Sequence, residues 1–353
     1  PERPRWAWSP DFASHATQVL RRGCQGRCEL RIGLCVLGRV GRAEFSKTGW
    51  LDQPQGLYGF RASKVAAAKG ASAVDELVEC VRWARRNQVH VLCFPELAID
   101  PAGRTVLGEA IAADPGSLCV VIPGSFHELA RGTDGWVNRA PVWLVERVPP
   151  APDGAGPKAR VFAAEPFDKT DPFIFKAKKA EAVLGEAPDG CLEYREDIDA
   201  GTALTVVDSP AGRIGLAICK DAMRGPLLER YGQVADHFLV VSMNEQSTGW
   251  FWTSGETLAR RDAVAAFYVN STQDVPEQDS AVDLAFWCFP EQTQLTNVVY
   301  RRKLPPSPAA SPEAAPLQEE KVQLADRRAF AAPIPPEYAV FVPIRIPGTV
   351  FDT

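Results

Sequence analysis

Short apolar runs that alternate with amphipathic segments are the feature that most restricts the fold of this chain. The run LRIGLCVLG at residues 30–38 is followed by an amphipathic stretch at 72–86 and by the run VHVLCF at 89–94. Continuous apolar runs bounded by polar residues are typical of buried strands, and the apolar residues of 72–86 recur at helical spacing. This alternation predicts an α/β fold with several strands in its core.

The second half of the chain repeats the alternation and adds a hairpin. Residues 203–219 read as two strands joined by a Ser-Pro-Ala-Gly turn, with Cys219 at the far end of the second strand. Because hairpins give antiparallel neighbours, the predicted sheets are mixed. The expected elements that follow are a helix at 226–234, a strand at 237–243, a helix at 256–267 and a strand at 268–271.

The predicted domain organisation has three parts. Residues 1–28 form an N-terminal extension, residues 29–303 form the folded domain, and residues 304–353 form a proline-rich linker with a C-terminal arm. The numbering starts at a proline rather than a methionine, as expected of a processed form or of a segment of a longer protein.

Composition excludes several classes of function. The net charge of -5 and the lack of a basic, aromatic-rich patch argue against nucleic-acid binding. Only four widely spaced histidines occur, so neither a zinc site nor a Ser-His-Asp relay is predicted. Nine cysteines without a CxxC pair indicate thiols in a reducing compartment. With no secretion signal and no apolar stretch of membrane length, a cytoplasmic location is expected.

Three chemically active residues are predicted to lie where apolar strands end. Cys219 ends the run GRIGLAIC, Glu96 follows the run VLCF and Pro95, and Lys176 ends the run FIF. Taken singly, each has a structural interpretation: a core thiol, a loop carboxylate and a charge at a strand edge. Together they offer a nucleophile, a base and a cation.

The order Glu, Lys, Cys at these separations resembles the nitrilase superfamily of carbon-nitrogen hydrolases over residues 30–300. HVLCFPELAI resembles the glutamate motif, and GRIGLAICKD resembles the nucleophile motif with Gly215 and Asp221 in register. VIPGSFHE and WVNRAPVWL are similar to the strand pair between the first two motifs. Lysine at 220, where the family often has an aromatic residue, and the sequence DAMRGP depart from the pattern.

The resemblance implies an αββα sandwich and a site built from Glu96, Lys176 and Cys219. In this family the glutamate takes the thiol proton, the cysteine attacks the carbon, and the lysine stabilises the oxyanion with a backbone N–H, here that of Lys220. Strand alternation places Lys176 and Lys178 on one face, so Lys178 remains an alternative. Further expected members of the site are Glu186 as a supporting carboxylate and Lys220 and Asn244 as substrate-binding residues.

The implied function is hydrolysis of an amide or carbamoyl group, or of a nitrile, through a thioester on Cys219. The alternative is a nitrilase-like binding or regulatory module, fused to or assembled with another protein, that has little or no turnover. No metal or organic cofactor is expected. The expected partners are a small amide-like substrate and a second copy of the chain in a homodimer or larger oligomer, without membrane or nucleic acid.

Overall fold

A computed structural model gives the structure of most of the predicted folded domain and of two C-terminal segments. It describes residues 29–35, 41–52, 56–67, 73–130, 132–149, 156–164, 166–209, 212–244, 249–262, 264–271, 281–288, 298–303, 319–323 and 339–345. The predicted N-terminal extension at 1–28 and the proline-rich stretch at 304–316 lie outside the described residues.

Within the described part of the chain, twenty strands form four sheets. The first ten are β1 (Glu29–Cys35), β2 (Gly41–Asp52), β3 (Leu57–Ala67), β4 (Val91–Cys93), β5 (Val120–Ile122), β6 (Phe126–Leu129), β7 (Trp136–Ala140), β8 (Trp143–Arg147), β9 (Ala159–Ala163) and β10 (Phe167–Asp168). The others are β11 (Ile174–Lys176), β12 (Glu193–Glu196), β13 (Val206–Ser209), β14 (Gly212–Ile218), β15 (His237–Ser242), β16 (Ala265–Asn270), β17 (Ala281–Cys288), β18 (Val298–Lys303), β19 (Glu319–Gln323) and β20 (Ala339–Arg345).

Five α-helices and one short 3₁₀-helix lie among the described residues. They are α1 (Ala73–Arg86), α2 (Pro101–Ala113), α3 (Ala177–Leu184), α4 (Gly225–Val234), α5 (Gly249–Asp262) and the 3₁₀-helix Cys219–Met223. The prediction of a helix over 256–267 was wrong at its end, because Ala265 already begins β16. The run VAAF suits a buried helix or a buried strand, and parallel pairing with β15 decides for the strand.

The two larger sheets are mixed, as the sequence predicted. One has the order β20-β1-β4-β5-β8-β9 and the other the order β13-β14-β15-β16-β17-β18-β19. In each sheet the central strands are parallel, and antiparallel neighbours flank them.

The alternation of side chains along the strands produces four layers. In β4, Val91 and Cys93 pack with residues of the seven-stranded sheet, while Leu92 packs with α1 and α2 on the opposite face. The two sheets therefore face each other across one core. Residues of α4 and α5 such as Leu227 and Leu258 pack against the seven-stranded sheet. This is the predicted αββα sandwich.

A four-stranded sheet of order β11-β12-β3-β2 is the main element that the sequence did not predict. Its β2 and β3 form a long antiparallel hairpin, and β12 pairs in parallel with β3. The sheet matters for the site, because β12 ends at Glu196 and β3 contains Ala62.

The predicted C-terminal arm contributes strands to both large sheets. β19 pairs with β18, and β20 pairs with β1 in antiparallel register from Glu29↔Arg345 to Cys35↔Ala339. Within the described part of the chain, every helix falls short of the length and apolar character that crossing a bilayer requires.

Candidate active site

Glu96 lies in a tight turn after β4, with only 2% of its surface exposed. The turn is fastened to the segment after β5, because the Leu97 amide donates to the Ser125 carbonyl at 2.8 Å. Gly124 has φ +70, and a Cβ there would lie 2.0 Å from the Pro95 carbonyl oxygen. Only glycine allows this approach, which turns the Glu96 carboxylate into the interior.

Cys219 lies where β14 meets the 3₁₀-helix, as the sequence predicted. Its φ of +47 is left-handed, a conformation that non-glycine residues adopt at a cost of about 1–3 kcal/mol. Strain of this kind persists only where the surroundings impose it. Here the Tyr231 hydroxyl donates to the Leu216 carbonyl at 2.6 Å and fixes the end of β14.

The cation of the site is Lys169, which follows β10 directly. Its Nζ lies 2.9 Å from Glu96 Oε1 and 2.7 Å from Glu196 Oε2. All three side chains are at most 2% exposed. Burial by itself would lower the pKa of Lys169, but Glu196, Glu96 and Cys219 raise it well above its ordinary value. Lys169 is therefore a buried ammonium between two carboxylates.

Backbone and amide donors hold the carboxylate of Glu96. Asn138 Nδ2 donates to Glu96 Oε1 at 2.9 Å, and the Met243 amide donates to Oε2 at 3.0 Å. Met243 directly follows β15, which pairs with β14, the strand that Cys219 follows. These contacts hold Glu96 from β7 of the three-stranded sheet and from the end of β15 of the seven-stranded sheet.

Glu196 is held still more tightly. It accepts hydrogen bonds from the Phe173 amide at 2.6 Å and from Asn138 Nδ2 at 3.1 Å, and His127 Nε2 lies 3.0 Å from its Oε1. Burial tends to raise the pKa of Glu196, but Lys169 and His127 outweigh it and lower that pKa well below its ordinary value. Glu196 is thus an anion throughout the physiological range.

Burial, and after it the carboxylate of Glu96, raise the pKa of the Cys219 thiol to about 12, although Lys169 and the Ser242 hydroxyl oppose the shift. At neutral pH the resting thiol therefore keeps its proton. A nucleophilic reaction at this sulfur requires a neighbouring base, and Glu96 is the carboxylate with the largest effect on it.

The segment that bears Lys169 is tied to the segment that bears Cys219. Thr170 donates to Asp221 twice, from its amide at 2.9 Å and from its hydroxyl at 2.6 Å. Lys220 pairs with Asp171 at 3.2 Å. Hydrogen bonds and an ion pair join the residues after Lys169 to the residues after Cys219. These contacts therefore fix the position of the ammonium relative to the thiol.

The structure does not bring Lys176 to this cluster. Lys176 ends β11 at the start of α3 and is exposed, and Lys178 is an exposed residue of that helix. Glu186 is also exposed, and its backbone carbonyl, not its side chain, accepts a hydrogen bond from Lys47. In this structure Lys169, not Lys176, contacts Glu96, and Glu196, not Glu186, is the second carboxylate beside it. The catalytic roles of these residues stay a prediction.

The two residues predicted to bind substrate have protein partners in the structure. The half-buried Lys220 faces Asp171, as described above, next to the nucleophile. Asn244 follows β15, and its backbone exchanges hydrogen bonds with the Asn270 side chain at 2.7 and 2.8 Å. Their contact with substrate stays a prediction.

Sequence reasoning missed Lys169, Glu196, His127 and Asn138. Lys169 stands in PFDKTDP, where the strand before it has only two residues, so no apolar run marks it. Asn138 and His127 were part of the segments quoted for the family resemblance, and both lie on paired strands, opposite each other in β7 and β6. The expected pairing of these two segments was the feature of the sequence that could have placed Asn138 and His127 next to each other.

Asp221 gives the site a measurable pH dependence of stability. Burial raises its pKa from 3.8 to about 6, although Thr170 opposes the shift. The folded protein holds the proton of Asp221 more tightly than the unfolded chain does. Protonation of Asp221 therefore stabilises the fold below pH 4, and this stabilisation is lost as pH rises through 6. Two pKa units correspond to roughly 3 kcal/mol. Urea titrations would give the free energy of unfolding of the wild type and of Asp221→Asn at each pH. The wild-type value minus the variant value is expected to fall by roughly 3 kcal/mol between pH 4 and 7.

Asp236 supplies the matched control, because Arg213 lowers its pKa despite partial burial. The corresponding difference between wild type and Asp236→Asn is expected to rise with pH. A difference curve for Asp221→Asn that is flat or has the Asp236 sign would contradict the assignment of a raised pKa.

The structure is similar to solved structures of the nitrilase superfamily. Saccharomyces cerevisiae Nit3, a member of branch 10 of that superfamily, matches with a TM-score of 0.48 and 12% identity, over 76% of this chain and 85% of that chain. An amidase from Nesterenkonia sp. matches with a TM-score of 0.45 and 12% identity over 91% of each chain. A CN-hydrolase superfamily protein of Xanthomonas campestris matches with a TM-score of 0.43 and 15% identity over 92% of each. Neither a family model nor a curated protein sequence matches the chain.

Proposed function

We propose that the protein hydrolyses a non-peptide carbon-nitrogen bond, of an amide or carbamoyl group, through a thioester on Cys219. One observation carries the proposal: a buried ammonium, that of Lys169, is held between two buried carboxylates beside a cysteine in a left-handed backbone conformation at a strand end. A fold of this kind does not by itself confer activity, so the proposal depends on this cluster.

In the first half of the reaction, the Cys219 thiol starts in its protonated form because its pKa is high. Glu96 removes the proton from Cys219 as the sulfur attacks the carbonyl carbon, so that no free thiolate accumulates. The electron pair of the C=O bond moves to oxygen, and the Lys169 ammonium and the Lys220 backbone N–H stabilise the resulting oxyanion. When the tetrahedral intermediate collapses, the C–N bond breaks and Glu96 returns its proton to the departing amine or ammonia.

The second half regenerates the enzyme. Glu96, again ionised, takes a proton from water as the water oxygen attacks the thioester carbon. The C–S bond then breaks, the proton returns to sulfur, and the carboxylic or carbamic acid leaves. Glu196 takes no proton in this sequence, because Lys169 and His127 keep it ionised.

One observation favours the second candidate, a binding or regulatory module without turnover. The Cys219 thiol is only 5% exposed, and burial keeps it protonated at neutral pH. A sulfur in this state is inert unless a substrate reaches it and Glu96 accepts its proton. The two candidates therefore differ in whether a small electrophilic carbonyl or nitrile gains access.

An ammonia-release screen tests the proposal directly. The wild type and Cys219→Ala are incubated with a panel of small amides, N-carbamoyl amines and nitriles, and ammonia and acid are both measured. We expect release from at least one class by the wild type and at least a thousandfold less from the alanine variant, in line with loss of a nucleophile.

A variant at an exposed neighbouring residue shows whether loss of turnover is specific to the removal of the Cys219 thiol. Replacing Met223, a half-exposed neighbour in the 3₁₀-helix, by alanine is expected to leave turnover within a few-fold of wild type. Failure of every substrate class, together with failure of iodoacetamide to alkylate Cys219 in the folded protein, would support the module instead.

A further inference from the structure

We propose that His127 is a positioning residue of the site, which donates a hydrogen bond from Nε2 to Glu196 and so keeps Glu196 from competing with Glu96 for the thiol proton. This inference rests on the proposed function. It gives a role to a histidine that the reaction sequence does not otherwise use, since no step passes through an imidazole.

The tautomer of His127 follows from its two neighbours. The Ala62 amide donates to Nδ1 at 2.7 Å, so Nδ1 is unprotonated and accepts. The ring proton of the neutral imidazole is therefore on Nε2, which lies 3.0 Å from Glu196 Oε1. Because the side chain of His127 is completely buried, water cannot replace either partner.

The bond from His127 complements the other contacts of Glu196. Oε2 accepts from the Phe173 amide and pairs with Lys169, whereas Oε1 accepts from Asn138 and His127. Four donors saturate the carboxylate, which leaves no lone pair directed at the thiol. A carboxylate that accepts several hydrogen bonds holds a proton poorly.

The two glutamates of the site are thereby given different tasks. Both contact Lys169 and both accept from Asn138, but only Glu196 has a histidine donor. A pair of nearby carboxylates can exchange the roles of acid and anion unless their surroundings separate them. His127 separates them: Glu196 remains the fixed anion that orients Lys169, and Glu96 remains the group that accepts a proton.

His127 also connects the four-stranded sheet to the site. Ala62, whose amide donates to Nδ1, belongs to β3, and Glu196, which accepts from Nε2, ends β12 of the same sheet. His127 itself belongs to β6, in the separate three-stranded sheet β10-β7-β6. The position of Lys169 thus depends on contact between these two sheets.

Two substitutions distinguish the positioning role from a structural one. The side-chain amide of asparagine can replace Nδ1 as the acceptor for Ala62, whereas that of glutamine can replace Nε2 as the donor to Glu196. If His127 acts through Glu196, His127→Asn is expected to lower kcat by about tenfold to a hundredfold, the effect of losing a buried hydrogen bond to a charged group. His127→Gln is expected to restore most of kcat, with KM little changed in both variants.

A pH profile supplies the second readout. The titratable groups around Glu196 are Lys169, His127, Glu96 and Cys219. Without the His127 donor, the pKa of Glu196 rises, so the acidic limb of kcat/KM should move toward higher pH in His127→Asn and return in His127→Gln. Full activity in His127→Asn, equal loss in both variants, or rescue by asparagine in place of glutamine would each overturn the inference.

A measurement on the wild type keeps the inference testable if a variant does not fold. In protein labelled with ¹⁵N-histidine, the NMR signals of His127, one of only four histidines, should show an unprotonated Nδ1 and a protonated Nε2. The opposite tautomer would overturn the inference. A wild type without hydrolysis but with this tautomer would count against the proposed function, not against the hydrogen bond.

Discussion

Lys169→Met is expected to reduce hydrolysis by about a thousandfold, while Lys176→Met leaves it unchanged. The Lys169 ammonium is the cation that burial and two carboxylates hold beside the thiol, and a buried oxyanion donor of this kind contributes about 10²- to 10³-fold or more to kcat. Lys176 is exposed at the start of α3. The measurement is kcat on the best substrate of the screen, with the two variants prepared and assayed in parallel.

The loss in Lys169→Met must be separated from misfolding. Removing one partner of a buried ion cluster leaves uncompensated carboxylates and costs about 3–5 kcal/mol. The double variant Lys169→Met with Glu196→Gln removes one of those charges as well, and we expect it to recover much of the thermal stability without recovering activity. If the double variant regained turnover, or if Lys176→Met were the inactive one, the assignment of Lys169 would be wrong.

The comparison of these two lysines shows what the sequence could and could not predict. Strand ends after long apolar runs were predictable, which is why Glu96 and Cys219 were identified and both lie in the cluster. Lys169 follows a strand of two residues that pairs only with Arg139 and Ala140. A run so short carries no periodic signal, and its position depends on tertiary pairing.

The second carboxylate was missed for a related reason. The family resemblance implied Glu186, a short distance after Lys176, but the second carboxylate that contacts Lys169 is Glu196, 27 positions after that lysine. Between them lie β11, a strand of the unpredicted four-stranded sheet, and α3, which packs against that sheet. Local spacing cannot reveal a contact that depends on how such a sheet docks against the rest of the fold. The layered architecture was more accessible, because continuous apolar runs and helical spacing predicted the α/β class and the family resemblance implied the αββα sandwich.

Glu96→Gln is expected to lower turnover and at the same time to make the Cys219 thiol easier to ionise. Turnover should fall by about 10²- to 10⁴-fold, since glutamine cannot accept the thiol proton. The pKa of the thiol should fall as well, because the Glu96 carboxylate raises it and Lys169, freed of one anionic partner, lowers it. A change in one close charge moves a pKa by about 1–3 units, so alkylation of Cys219 by iodoacetamide should begin at correspondingly lower pH in the variant.

Lower turnover combined with easier ionisation of the thiol is what identifies Glu96 as a base. A residue that only supported the fold would, on substitution, expose or disorder the thiol and change alkylation without a defined pKa shift. A residue that merely stabilised a thiolate would raise the thiol pKa when removed. Glu186→Gln, an exposed change of the same chemistry, should alter neither property. Because burial keeps the resting sulfur protonated, a thiol that becomes easier to ionise and yet ceases to turn over requires that the lost carboxylate carried the proton. An upward shift of the alkylation profile in Glu96→Gln, or retained turnover, would contradict that role.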